Sequence, residues 1–135
     1  MGRAHRLAYT LLDMPFAITA ERTFSAAHQL RLYDGSLEAL HGHNWRARVT
    51  VEATKLDAIG VVMDFHELER LLNQILDPLH NTHLNDHPIF KSELNPSAEN
   101  VAVFVADRLR LPTQVRLTTV EVWETPQNCA IYRPA

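Results

Sequence analysis

Apolar and polar residues alternate without a break through Trp45, Ala47, Val49, Val51 and Ala53, with Arg46, Arg48, Thr50, Glu52 and Thr54 between them. A period of two gives one buried and one wet face, so a strand is expected from about His43 to Thr54. The same parity runs through Phe16, Ile18, Ala20, Phe24 and Ala26, predicting an earlier strand from Phe16 to His28. Asp34-Gly35, between the two, is a turn signal.

The period then changes. Phe65, Leu68, Leu72, Ile75 and Leu79 recur at intervals of three and four, the stripe of a helix from about Asp64 to Leu76 that Pro78 ends. A polar stretch from His80 to Pro96 follows, long enough for a functional loop. Ser97 is a suitable N-cap for a second helix to about Leu109, with Val101, Val105 and Leu109 on one face and Pro112 beyond its end. Strands are expected at Val115 to Glu124 and at Cys129 to Arg133. The order β-β-α-α-β-β predicts an α+β fold, two helices on one face of a four-stranded antiparallel sheet. Such a sheet has two open edges, which pairing between subunits can cover.

The chain has 135 residues, 46% hydrophobic and 21% charged, with a formal net charge of −3. This suits one domain, expected over 16–135 behind an N-terminal arm over 1–15. The balance lacks the basic footprint of a nucleic-acid binder, and no apolar run reaches the length of a membrane span. The first residues carry charges within a short apolar stretch and do not read as a signal peptide. The single cysteine, Cys129, cannot form an internal disulfide, so a cytoplasmic protein is expected, with Cys129 as a small packing residue.

Eight histidines are many for this length. His41 and His43 are two apart on an extended segment and point to one side. Antiparallel pairing brings the end of the first strand, His28, alongside them. Three imidazoles with no fourth ligand nearby suit a catalytic zinc ion, which commonly keeps three protein ligands and one open position. His5, His66 and His87 read as polar surface, and Trp45 and Trp123 as core or interface aromatics.

Further segments join this constellation: Phe24-Ser25-Ala26-Ala27-His28, His41-Gly42-His43-Asn44, Met63-Asp64-Phe65, Leu84-Asn85-Asp86, Asn95-Pro96-Ser97-Ala98-Glu99-Asn100, and Glu124-Thr125 followed by Tyr132. In this order, from about Phe16 to Arg133, they resemble the 6-pyruvoyltetrahydropterin synthase / 6-carboxytetrahydropterin synthase family. The resemblance implies a tunnelling fold (T-fold). It implies a homotrimer whose sheets join into a barrel, usually doubled to a homohexamer, with active sites between subunits. It also implies Zn2+ on His28, His41 and His43, and 7,8-dihydroneopterin triphosphate as substrate. Glu124 matches the family's pterin anchor, a role suited to a carboxylate that accepts two parallel N–H bonds. Glu99 reads as a helix-start acid.

Two departures from the family bear on the reaction. The catalytic cysteine usual before His-Gly-His is absent, and Glu38 stands three residues before His41. This E-x-x-H-G-H pattern resembles a paralogous group that cleaves the substrate to 6-hydroxymethyl-7,8-dihydropterin for folate synthesis. A carboxylate beside a metal can serve as general base. The family's Asp-His pair falls, without a gap, on His80 and Asn81; a gapped alignment uses Asp77 and His80. His80 is therefore the acid/base candidate, with His83 in reserve. The expected activity is that of a zinc-dependent lyase of the folate type. The alternatives are 6-carboxy- or 6-pyruvoyl-tetrahydropterin formation, or a non-catalytic zinc- and pterin-binding relative. Arg22, Arg31, Lys91 and Arg133 are the candidates for the triphosphate.

Overall fold

The computed structural model describes residues 13–135, so most of the expected arm lies outside the described residues. Strands β1 (Phe16–His28) and β2 (His41–Ala53) form a long antiparallel hairpin. Helix α1 (Phe65–Leu76) follows, then a 3-10 turn at Asp77–Leu79, strand β3 (Thr82–His83), a second 3-10 turn at Leu84–Asp86, helix α2 (Ala98–Arg108), and strands β4 (Arg116–Thr125) and β5 (Asn128–Tyr132). Among the described residues the sheet is five-stranded, in the order β3-β1-β2-β4-β5.

The extra strand corrects the expectation of four. Thr82–His83 pairs in parallel with Ala26 and Ala27 at the sheet edge. Two residues are too few for alternation to show, and the pairing depends on a turn made elsewhere. Asn81 adopts a positive φ of 60°, and its N–H donates to the Ser25 carbonyl at 2.6 Å.

Alternation builds the core as expected except at the start of β1, where Phe16 is exposed and Ile18 only partly buried. Trp45, Ala47, Val49, Val51 and Ala53 are buried from β2, and Ala20, Phe24 and Ala26 from β1. Leu68, Leu72, Ile75 and Leu76 of α1 and Val101, Ala102, Phe104 and Val105 of α2 complete one cluster. Phe65, the first residue of the predicted stripe, is exposed. The Asp64 carboxylate caps α1 by accepting from the His66 N–H at 2.8 Å, and the Ser97 hydroxyl caps α2 by accepting from the Asn100 N–H at 3.2 Å. Among the described residues no helix is long and apolar enough to cross a membrane.

Candidate metal centre and substrate cavity

The parity that buries Phe24 and Trp45 continues to the end of the hairpin, where it buries imidazole. His28 lies directly opposite His41, and Ala26 opposite His43. His28 is fully buried. One ligand atom each from His28, His41, His43 and Glu124 lie within 4.8 Å of one another.

Hydrogen bonds at the far side of two rings decide what the near side offers. His28 Nδ1 lies 2.7 Å from the Pro96 carbonyl oxygen, and His41 Nδ1 lies 2.8 Å from that of Ala39. A carbonyl only accepts, so both Nδ1 atoms carry a proton, and the tautomer this selects for a metal-binding ring presents its lone pair at Nε2. Those two Nε2 atoms are 3.0 Å apart, and Glu124 Oε1 lies 2.9 Å from His28 Nε2 and 3.5 Å from His43 Nε2. His43 Nε2 is buried without a hydrogen-bond partner. Lone pairs aimed at one another repel unless a cation sits among them. One proton joins only two such atoms, whereas a divalent ion serves all three nitrogens and leaves the Glu124 carboxylate beside it. A tetrahedral zinc ion with Zn–N bonds of about 2.0–2.1 Å needs nitrogens roughly 3.3 Å apart, close to this spacing. The donor set therefore fits a metal. Burial lowers the His43 pKa from its ordinary value, while the Glu124 carboxylate pulls the other way. Trp45 backs the group, its ring edge-on to His28 at 4.9 Å and to His43 at 5.6 Å.

Glu38 sits at the rim. Its Oε1 accepts from the Leu30 N–H at 2.9 Å and lies 3.9 Å from His41 Nε2. Glu124 also lines a cavity of about 690 Å³ with Glu99, Gln127, Asn128 and Cys129 along β5. Cys129 is exposed, which corrects the packing role expected of it. Partial burial of its thiol, and Glu121 nearby, raise its pKa.

A second cavity, of about 570 Å³, is bordered by His43, Gly42, Ser25 and His83. His80 is not among the residues that line it. Its Nδ1 instead accepts from the Ser25 N–H at 3.0 Å, tying the turn before β3 to the sheet. The acid/base residue expected at His80 is thus engaged with backbone, because Asn81 reverses the chain there. His83, the reserve, faces the cavity with a buried and unpartnered Nε2. Two of the candidate triphosphate residues have other work. Arg22 pairs with Asp77, and Arg31 donates to the carbonyls of Phe90 and Leu94. His87, expected as plain surface, packs edge-on against Phe104 at 5.3 Å. Trp123 lies on the polar face beneath the Arg46 guanidinium at 3.9 Å.

An antiparallel hairpin with two helices on one face, and three histidines and a glutamate converging at its end, defines a T-fold protein with a site able to hold a metal. The family profile described as 6-pyruvoyl tetrahydropterin synthase matches residues 17–135, and the chain belongs to that family of lyases. It is 37% identical over 122 residues to the 6-carboxy-5,6,7,8-tetrahydropterin synthase of Synechocystis sp., covering 85% of this chain and 91% of the relative. It is 33% identical over 113 residues to the dihydroneopterin monophosphate aldolase of Pyrococcus furiosus, covering 82% and 91%. The structure of the Caenorhabditis elegans 6-pyruvoyl tetrahydropterin synthase superimposes with a TM-score of 0.72 at 28% identity, covering 89% of this chain and 97% of that one.

Proposed function

We propose that this protein is a zinc-dependent lyase that cleaves the side chain of 7,8-dihydroneopterin triphosphate to 6-hydroxymethyl-7,8-dihydropterin. One observation carries the choice of reaction. The group at the rim of the His28-His41-His43 cluster is the Glu38 carboxylate, with its Oε1 3.9 Å from His41 Nε2. The chain's one thiol, Cys129, lies on β5 after Glu124, away from the segment before His41, and partial burial raises its pKa. A relative bearing the name of an aldolase acting on dihydroneopterin monophosphate supports cleavage chemistry and the pterin as substrate class.

His28, His41 and His43 would hold the zinc ion, which when bound supplies Lewis-acid polarisation of a substrate side-chain oxygen. Glu38 takes the hydroxyl proton whose loss starts carbon–carbon cleavage, its carboxylate oriented by the Leu30 N–H. His83 returns a proton from the cavity beside His43, in place of His80. Glu124 anchors the pterin ring through its 2-amino-pyrimidinone edge, in the cavity along β5. The outer edge of β1 up to Ser25 and the outer edge of β5 have no strand partner among the described residues, which supports edge pairing into a homotrimer or homohexamer. A monodisperse monomer in light scattering would overturn that assembly.

Zinc-loaded protein should convert 7,8-dihydroneopterin triphosphate, or its monophosphate, to 6-hydroxymethyl-7,8-dihydropterin identified by mass spectrometry. Glu38→Gln should lower turnover by about 10²–10⁴, the usual worth of a general base, with zinc retained. Near-normal turnover in Glu38→Gln would refute the assignment. A 6-carboxy product would favour the second reading, for which the 37% identity to the Synechocystis synthase speaks. No turnover at all would make the chain a pterin-binding relative.

A further inference from the structure

Beyond His28 the chain leaves the sheet, and its backbone hydrogen bonds alternate sides for three residues. Gln29 is bound on one side by Asn85, whose Oδ1 accepts from the Gln29 N–H at 2.9 Å and whose Nδ2 donates to the Gln29 carbonyl at 2.8 Å. Leu30 turns to the other side and bonds Glu38. Its N–H donates to Glu38 Oε1 at 2.9 Å, and its carbonyl accepts from the Glu38 N–H at 3.0 Å. Arg31 faces the first side again, where Asn95 Oδ1 accepts from its N–H at 2.7 Å and Asn95 Nδ2 donates to its carbonyl at 3.0 Å.

This is the alternation of a strand whose neighbour on one flank is two side chains. A carboxamide carries an acceptor and a donor side by side, as a strand neighbour does; a carboxylate lacks the donor and a hydrocarbon lacks both. The Glu38 segment is held through this stretch, through the Leu32 N–H, which donates to the Ser36 carbonyl at 2.7 Å, and through Gln29 Nε2, which donates to the Glu38 carbonyl at 3.1 Å. Asn95 is itself fixed, since Asn100 Nδ2 donates to its carbonyl at 2.9 Å. The next residue, Pro96, supplies the carbonyl that sets the His28 ring.

We propose that Asn85 and Asn95 are positioning residues, a surrogate strand that holds Glu38 in register with the metal group. Their effect on turnover runs through Glu38, so the kinetic part rests on the function proposed above, whereas the effect on the 29–38 hairpin does not. The test uses the full-length zinc-loaded protein and the variants Asn85→Ala, Asn95→Ala, Asn85→Asp and Asn95→Asp. Amide exchange at Gln29 and Arg31 should quicken about tenfold or more in the alanine variants, and less in the aspartate variants that keep the acceptor. Zinc content should match the wild type. Turnover should fall about tenfold with KM within about threefold. In a Glu38→Gln background the same substitutions should cost little further, because interacting residues are not additive. Unchanged exchange in the 29–38 hairpin overturns the proposal, as does an undiminished loss of turnover in the Glu38→Gln background. If the alanine variants do not fold, the aspartate variants decide by the same two readings. If the wild type turns over no pterin, the function proposed above fails and exchange alone decides the positioning role.

Discussion

The two ends of the β1–β2 hairpin share one backbone geometry and one buried face, yet they carry opposite chemistry. In the middle and at the Phe16 end that face holds Ala20, Phe24, Val49 and Val51, and its polar atoms are the hydrogen-bonded backbone. At the other end the same parity holds His28, His41 and His43, with lone pairs converging. The first end is complete as built, since apolar burial needs no partner beyond close packing. The second gathers a donor set that fits a cation among its nitrogens. The difference teaches that strand alternation decides where a side chain points and not what it must be. A metal centre can be placed with the accuracy of a core because the same packed sheet aims both.

Trp45 joins the two regions, and its loss should have the largest effect. It is fully buried, stacks 6.0 Å from Phe24, backs His28 and His43, and donates from Nε1 to the Ala26 carbonyl at 3.1 Å. Trp45→Ala should cost about 3–5 kcal/mol in urea unfolding and should weaken zinc binding as well. Zinc occupancy measured at wild-type affinity in that variant would show the two ends to be independent.

Zinc itself separates the ends next. Binding only to the folded protein, it should raise stability by about 2.7 kcal/mol at a free concentration one hundred times its Kd. In His41→Ala that gain should vanish while the stability of the metal-free protein changes little, because the His41 side chain is 40% exposed. Full zinc content in His41→Ala, by metal analysis, would remove His41 from the ligand set.

The smallest effect sharpens the comparison through a histidine outside the site. His87 packs on Phe90 and Phe104, and burial lowers its pKa from the ordinary 6.5, with Arg108 adding to the shift. Folding therefore favours the neutral ring. Its contribution is full above the unfolded value and is lost as pH falls from about 6.5 through the folded pKa. His87→Gln should flatten this part of the stability profile, followed by thermal unfolding between pH 7 and 5 in metal-free protein. An unchanged slope would remove His87 as its source and leave His43, whose pKa burial also lowers.

Read as sequence alone, the hairpin was legible to within two residues at each end, because period-two alternation over a dozen residues has no competing interpretation. Both helices were legible from apolar residues recurring at intervals of three and four, and the cap at Ser97 was a local signal, whereas the cap at Asp64 emerged only in the structure. Strand β3 was not, since its pairing with Ala26 and Ala27 depends on the positive φ at Asn81 and on a contact more than fifty residues distant in the chain. The grouping of His28, His41 and His43 followed from parity and pairing. The arrival of Glu124 among them did not, because it rides on β4, whose register against β2 is set by core packing and by a bulge at Thr50/Val51.

Acid/base residues show the same division. Glu38 is tethered three residues from His41, so its place near the cluster was a matter of chain length. Whether His80 or His83 faces the cavity was decided by the direction in which one turn reverses, a tertiary matter on which spacing is silent. The sequence by itself determined the elements, the buried parity and the kinds of side chain that share a face, since all of these are local and periodic. Only the tertiary structure decided which lone pairs meet, which ring nitrogens keep their protons, and that Asn85 and Asn95 stand in for a missing strand. Those outcomes depend on distances between segments far apart in the chain, and the packing of the whole core sets them.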